Sequence, residues 1–473
     1  GFTIVGLPET TVKESKERVR SAILNNQFEF PLSRITVNLA PADLPKEGGR
    51  FDLPIALGIL IASGQIPEKG MEQHEAIGEL SLTGRLRAIK GALPVSLAVR
   101  ESQRSLILPI DNADEAALVD GTSCKPASHL LDVCAHITGM KTLENHKSKK
   151  IKSVTKYDKD LNEVYGHEHA KRALEIAAAG GHNLLMIGPP GSGKTMLAER
   201  LPSIMPELTD KQALETAAIA SISNKGFNPS TWRQRVFRSP HHSASSVALV
   251  GGGSHPKPGE ISLAHNGVLF LDELPEFSRH VLEVLREPLE SGRIVISRAA
   301  NQVEYPANFQ LIAAMNPCPC GYLGDASSRC RCTEEQTHRY QNKISGPLMD
   351  RLDIVIEVHS IPDAIINQTR EVDSETSTTI RERVCNTFKH QLKRSGCSNS
   401  ALKTNDIEEY CGLSENDKSL LQTATRKLSL SGRAIHRILK VSRTIADLSD
   451  YEQIQTQHLT EAMSYRKKIN YSN

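Results

Sequence analysis

Between residues 160 and 360, short apolar runs alternate with stretches of helical spacing. Asn183-Leu-Leu-Met-Ile-Gly188, Gly267-Val-Leu-Phe-Leu-Asp272 and Phe309-Gln-Leu-Ile-Ala-Ala-Met-Asn316 are the clearest runs. A strand covered on both faces of a parallel sheet reads this way, whereas a strand with one wet face alternates. The segment HEHAKRALEIAAA has helical spacing and stops at Gly180-Gly181, and MLAERL follows the next glycine-rich stretch. The alternation predicts an α/β core with a parallel sheet over 161–360. Residues 1 to 140 carry shorter apolar runs punctuated by Gly and Pro (ITVNLAPADLP, AIGELSLTGRLRAIKG), which predicts a small α/β domain. In TRKLSLSGRAIHRILKVSRTIADL the spacing is helical, so 361–473 is expected to be a helical lid.

Composition changes this picture little. At 473 residues the chain exceeds a single core, and 39% hydrophobic with 24% charged residues is ordinary for a globular protein. The longest apolar run, Ile55 to Ala62, is broken by Gly58 and falls short of the ~18 residues of a membrane span, so no membrane partner is expected. The first residues carry no charged signal region and no initiator Met, so a trimmed chain without a secretory signal is expected. Nine unevenly spaced cysteines fit a reducing, cytoplasmic compartment better than a disulfide framework. Net charge is +2, so a phosphate-backbone partner would have to meet a local patch. From Lys225 to Gly259 there is no acid, while Lys225, Arg233, Arg235, Arg238 and Lys257 are basic and His241, His242 and His255 lie among them. The lysine-rich stretch 141–160 reads as a solvated linker, with a nucleic-acid-binding tail as the alternative.

The chemistry concentrates in two motifs. Gly188, Pro189, Pro190, Gly191, Ser192, Gly193, Lys194 and Thr195 fit G-x-x-x-x-G-K-[ST] between an apolar strand and a helix. The backbone N–H groups of such a loop close around phosphates at a helix N-terminus. Lys194 is expected on the β- and γ-phosphates of ATP and Thr195 on Mg²⁺. The run ending in Asp272 and Glu273 brings two acids to the end of a buried strand, Asp272 for the Mg²⁺ shell and Glu273 to orient the attacking water. Asn316 ends a third such run, within reach of the γ-phosphate or the water. Arg351 and Arg433 are the arginines considered for the charge of the transferred phosphoryl group, in cis or in trans.

Cys318-Pro-Cys320 and Cys330-Arg-Cys332 bring four thiols within fifteen positions. Four thiolates satisfy tetrahedral Zn²⁺, which makes zinc the expected ligand; unpaired thiols in a loop are the alternative. Gly292 to Tyr305 reads as two short strands around a turn, with Arg293 and Arg298 ahead of its first acid, either solvated or on a ligand.

GPPGSGKTMLAERLP, GVLFLDELPEF, AAMNPCPCGY, SGPLMDRLDI and LSGRAIHRILKVSRTIADL together resemble the magnesium-chelatase-like branch of AAA+ ATPases, and closely the bacterial ComM (YifB) family. The resemblance implies an AAA+ P-loop core with a helical lid, assembled as a homo-hexamer with nucleotide sites at subunit boundaries. It casts Asn316 as sensor 1, Arg351 as an arginine finger acting in trans and Arg433 as sensor 2. It implies a helicase that migrates DNA branches during natural transformation, with branched or single-stranded DNA as partner. GEISLAHNGVLFLDE is similar to the helix-2 insert of replicative MCM helicases, which brings Lys257 into the DNA path, and 292–305 to a pre-sensor-1 hairpin carrying Arg293 and Arg298. A metal-insertion motor of the chelatase type and a protein-remodelling ATPase are the other classes. Residues 1 to 140 resemble a Lon-protease-like domain. Gly48, Gly49, Arg50 and Phe51 stand where its nucleophile is expected, and Pro94 where its Lys is expected, so no proteolysis is carried over.

Overall fold

The structure is a computed structural model that describes residues 1–6, 10–40, 46, 48–147, 157–223, 225–252, 257–297, 302–324, 329–360, 375–428 and 430–466. The chain divides into two compact units, Gly1–Val154 with Asp210–Trp232, and Thr155–Thr209 with Arg233–Asn473.

In the first unit, β1 (Phe2–Val5) pairs in parallel with β2 (Ile35–Asn38), and the helix Thr10–Asn25 lies between them in sequence. After β3 (His74–Ala76) come the antiparallel pair β4 (Glu79–Leu80) and β5 (Leu86–Arg87), then β6 (Ser105–Pro109) and β7 (Ser123–Ala127). β3, β6 and β7 form a parallel sheet in that order. The run at Ile55 lies in the helix Asp52–Ala62, whose buried Asp52 pairs with Arg18 at 2.7 Å. The segment 210–232 belongs to this unit, although its sequence position places it inside the expected ATPase core. Its helix Asp210–Ser221 buries Ala217 with Leu93, Leu118 and Val119, and Leu214 and Trp232 pack on the same cluster.

The second unit is built on a five-stranded sheet. Its strands are β8 (Leu184–Ile187), β9 (Phe237–Arg238), β12 (Val268–Leu271), β15 (Gln310–Met315) and β16 (Ile354–Glu357). Between them, β10 (Gly251–Gly252) and β11 (Lys257–Pro258) make one small antiparallel pair, and β13 (Arg293–Ser297) and β14 (Gln302–Pro306) make a longer hairpin. The sheet order is β16-β8-β15-β12-β9, and every pairing is parallel. Alternate residues supply opposite faces: Leu184, Met186, Val268 and Phe270 enter one core cluster, Leu185, Ile187, Leu269 and Leu271 the other. Both faces are dry, which is why these strands read as continuous apolar runs. Lid residues Ile380, Val384, Ile438, Val441 and Leu459 join the first cluster, so the helices Ser377–Ser395, Gly432–Leu448 and Thr456–Ser464 close over that face.

Candidate nucleotide site and its surroundings

The glycine-rich loop runs from the end of β8 into the helix Lys194–Ile204. Gly193 caps that helix at φ 84°, a left-handed conformation that a side chain would strain, and its backbone leads directly into Lys194. Lys194 is buried, and its Nζ donates to the carbonyls of Gly188 and Pro189 at 2.8 Å each and to Asn316 Oδ1 at 3.4 Å. Burial lowers its pKa, while the charges of Asp272 and Glu273 oppose that shift. An arriving phosphate therefore competes with carbonyl oxygens for a lysine already aimed along the loop. Thr195 Oγ1 donates to Asp272 Oδ2 at 2.7 Å, and Asp272 Oδ1 accepts the Glu273 N–H at 2.9 Å. These contacts join the end of β12 to the loop and bring together one hydroxyl and one carboxylate, oxygen donors of the kind a hard cation takes.

Glu273 stands in the left-handed region at φ 53°, unusual for a residue with a Cβ. His242 Nδ1 lies 2.9 Å from Glu273 Oε2, and the His241 ring packs against His242 with centroids 4.2 Å apart. The carboxylate is half-exposed and open to water. His242 counted in the sequence only as part of a basic window; the structure sets it against Glu273. Two more members of that window are spent inside the unit. Arg235 donates to the carbonyls of Pro206 at 2.6 Å and Asn266 at 2.8 Å, and Arg238 grips both Glu260 oxygens at 2.6 Å.

At the exit of β15, Asn316 leads into Cys318, Cys320, Cys330 and Cys332, whose sulfurs all lie within 4.8 Å of one another. The separations are 3.3 Å for Cys318–Cys320, 3.7 Å for Cys318–Cys330 and 3.6 Å for Cys320–Cys330. Four sulfurs around Zn²⁺ at ~2.3 Å stand ~3.8 Å apart, so this thiol set fits the ion. Burial alone would raise the Cys320 thiol, but backbone N–H groups of Tyr322 and Arg331 pull it down to about 6.

Arg351 lies just before β16, at the edge of the sheet where the parallel strands begin, whereas the glycine-rich loop, Asp272 and Asn316 lie where they end. It is buried, donating to the Pro347 carbonyl at 2.6 Å and paired with Glu290. Burial lowers its pKa, and the charges of Arg286, Arg433 and Arg437 add to that, so Arg433, exposed at the start of the helix Gly432–Leu448, belongs to the same edge. Asp353 organises this edge. It accepts the Asn183 N–H at 2.9 Å and pairs with Arg437. Burial would raise its carboxyl, yet His182 and Arg437 hold it well below the usual range. A cavity of about 720 Å³ opens here, lined by Glu290, Arg293, Asp353, Arg437 and Lys440 among others.

Of the residues considered for DNA, Arg293 pairs with Glu304 across the β13–β14 hairpin at 3.1 Å, and Lys257 is exposed on β11. Arg298 lies outside the described residues, between the hairpin strands.

The chain is similar to known proteins along almost its whole length. The family "Magnesium chelatase, subunit ChlI" matches residues 160–366, "Subunit ChlI of Mg-chelatase" matches 1–112, and "Magnesium chelatase, subunit ChlI C-terminal" matches 374–466. Competence protein ComM of Haemophilus influenzae is 53% identical over 99% of this chain and 92% of its own length. YifB of Escherichia coli is 52% identical over 98% of this chain and 91% of its own length. The DNA replication licensing factor MCM2 of Arabidopsis thaliana is 24% identical over 43% of this chain and 20% of its own length. With its P-loop, its acidic strand end and its parallel sheet, the chain belongs to the ComM/YifB family of magnesium-chelatase-like AAA+ ATPases.

Proposed function

We propose that the protein is a homo-hexameric motor that couples ATP hydrolysis to DNA translocation, migrating branched intermediates during the recombination step of natural transformation in the cytoplasm. The observation that carries the hydrolytic part is the junction of Thr195 with Asp272 at 2.7 Å, beside a lysine buried under Asn316. It supports Lys194 and the loop residues Gly188 to Thr195 as the phosphate cradle, with Thr195 and Asp272 on Mg²⁺. Glu273 is read as the group that orients the water and Asn316 as sensor. Arg351 is read as acting on a neighbouring subunit, because it stands at the strand edge away from its own loop, and Arg433 is read as sensor 2. Zinc is read as held by Cys318, Cys320, Cys330 and Cys332, on the fit of their sulfurs.

For DNA, the support is chain order and the names of relatives. The β13–β14 hairpin lies between Glu273 and the strand ending at Asn316, so changes at the γ-phosphate bear on both its flanks. Relatives are named for competence and for DNA replication. Arg293, Arg298 and Lys257 are the residues read as phosphate contacts. The test is ATPase activity with and without a branched duplex. Stimulation by DNA is expected, and Arg298→Ala and Lys257→Ala should each reduce the salt slope of DNA binding by about one counterion. No binding and no stimulation by any DNA structure would sink the DNA reading and leave a metal-insertion or protein-remodelling motor.

A further inference from the structure

We propose that the four-cysteine knuckle is a metal-dependent clamp on the nucleotide site, so that zinc occupancy sets nucleotide affinity. The inference rests on the reading that Cys318, Cys320, Cys330 and Cys332 hold zinc. It goes further in saying what the metal holds.

The knuckle touches the phosphate loop directly. Gly321 stands at φ 85°, and a Cβ built there would lie 2.7 Å from Pro190 Cδ and 3.7 Å from the Asn316 side chain. The turn Cys318–Gly321 is therefore pressed between the loop that wraps the phosphates and the sensor that touches Lys194. Asn316 and Cys318 are two residues apart, so any displacement of the first thiol is passed to the sensor along the backbone.

The described contacts within the segment are short-range: Arg329 lies over the Tyr322 ring at 4.7 Å, and Cys320 accepts the backbone N–H groups of Tyr322 and Arg331. Among its described residues, 317 to 333 form neither strand nor α-helix, and the turn is closed by one backbone hydrogen bond, Gly321 N–H to the Cys318 carbonyl at 3.0 Å. The far end is better fixed. Cys332 runs into Thr333, which caps the helix Glu334–Gln341 with a capping box. That helix returns to the start of the segment: Gln341 Nε2 donates to the Pro317 carbonyl at 3.0 Å, and Tyr340 lies against the Asn316 backbone. A metal bound by one thiol pair from each end closes the irregular stretch between these anchors and holds Gly321 on Pro190. Losing the metal frees the Cys318–Gly321 turn while the helix Glu334–Gln341 stays. The result is a looser loop rather than an unfolded unit, and a positioning error of ~1 Å at such a site is worth orders of magnitude in function.

The experiment measures zinc content and affinity for a fluorescent ADP analogue on the same full-length preparation, before and after treatment with 1,10-phenanthroline. This chelator takes zinc and leaves Mg²⁺. The native chain should hold about one zinc, in line with a four-thiolate site. Its removal should weaken nucleotide binding about tenfold or more, with the far-ultraviolet circular dichroism retained and affinity recovered on adding zinc. Cys330→Ser with Cys332→Ser should behave as the stripped protein. Gly321→Ala should keep zinc yet bind nucleotide less tightly, which separates the contact from the metal. Should the cysteine variants not fold, the chelator arm on the wild-type chain decides alone. Zinc lost with affinity unchanged would overturn the clamp. A native chain without zinc that binds nucleotide normally would overturn the metal reading itself, and no nucleotide binding by the zinc-loaded chain would overturn the ATPase reading.

Discussion

Replacing Thr195 with Val isolates one atom of the nucleotide site. Val keeps the shape of the side chain and removes the hydroxyl that donates to Asp272 Oδ2 at 2.7 Å. Thr195 is exposed, so folding should not suffer. A hydroxyl on a bound cation is taken at the scale of a charge-assisted hydrogen bond, about 1.5–3 kcal/mol. At ~1.4 kcal/mol per tenfold, the variant should bind Mg²⁺-nucleotide about 10- to 150-fold more weakly. The loss belongs to the cation and not to the phosphates, which the backbone and Lys194 cradle. Titration of a fluorescent ATP analogue should therefore show the full defect with Mg²⁺ present and little of it when Mg²⁺ is absent. An equal loss in both conditions would mean that Thr195 supports the loop itself, and the assignment of the Thr195–Asp272 pair to the cation would be wrong.

Glu273→Gln should bind nucleotide normally and fail to turn it over, and His242→Ala should lower kcat about tenfold, the scale of a lost orienting partner, without changing nucleotide affinity; a wild-type kcat in either case removes that residue from the hydrolytic step. Mixing Arg351→Ala with Lys194→Ala chains should restore part of the ATPase, since each supplies what the other lacks; no recovery in a mixture shown to co-assemble would refute action in trans. Asp353→Asn should destabilise the second unit by about 3–5 kcal/mol, the cost of breaking a buried charge pair, as read by thermal denaturation. The Asp353 carboxyl titrates below its ordinary 3.8 in the folded chain, so its contribution is full above that value and fades as the pH falls through the folded-state pKa. The variant should accordingly be less stable at neutral pH and show a flatter acid limb, and an acid limb identical to the wild type would refute the assignment.

The parts of the site legible in sequence were those fixed by local physics. A strand buried on both faces must be apolar throughout, and the residues at its end are the first free to be polar; Asp272, Glu273 and Asn316 stand out for that reason. The turn into the helix Lys194–Ile204 needs glycine where φ is positive, which made the phosphate loop visible. Long-range pairing left no such mark. Arg238 meets Glu260 twenty-two positions later and Arg351 meets Glu290 sixty-one positions earlier, so an acid-free window looked like a charged surface when two of its arginines were already satisfied. Residues 210–232 pack with the first unit, which their place in the sequence does not announce. Nothing local says that the partners of the helix Asp210–Ser221 are Leu93, Leu118 and Val119. The hairpin was legible as two β-rich segments around a turn, while Glu304 as the partner of Arg293 emerges only from the register.

The sheet of the second unit is wholly parallel, and this gives the molecule two chemically different ends. The strands are four residues long in β8, β12 and β16, ~13 Å of chain. One end carries the phosphate loop and the other carries Arg351. In an end-on two-fold contact each of these ends faces its own copy, and neither patch is completed. Head-to-tail association does complete them, and it leaves a loose half-site at each end of any open chain of subunits. Closing the ring removes both loose ends in one step. On the reading of Arg351 as a donor to its neighbour, specific activity would climb steeply over a narrow range of protein concentration. A diluted preparation would fall silent with every chain still folded.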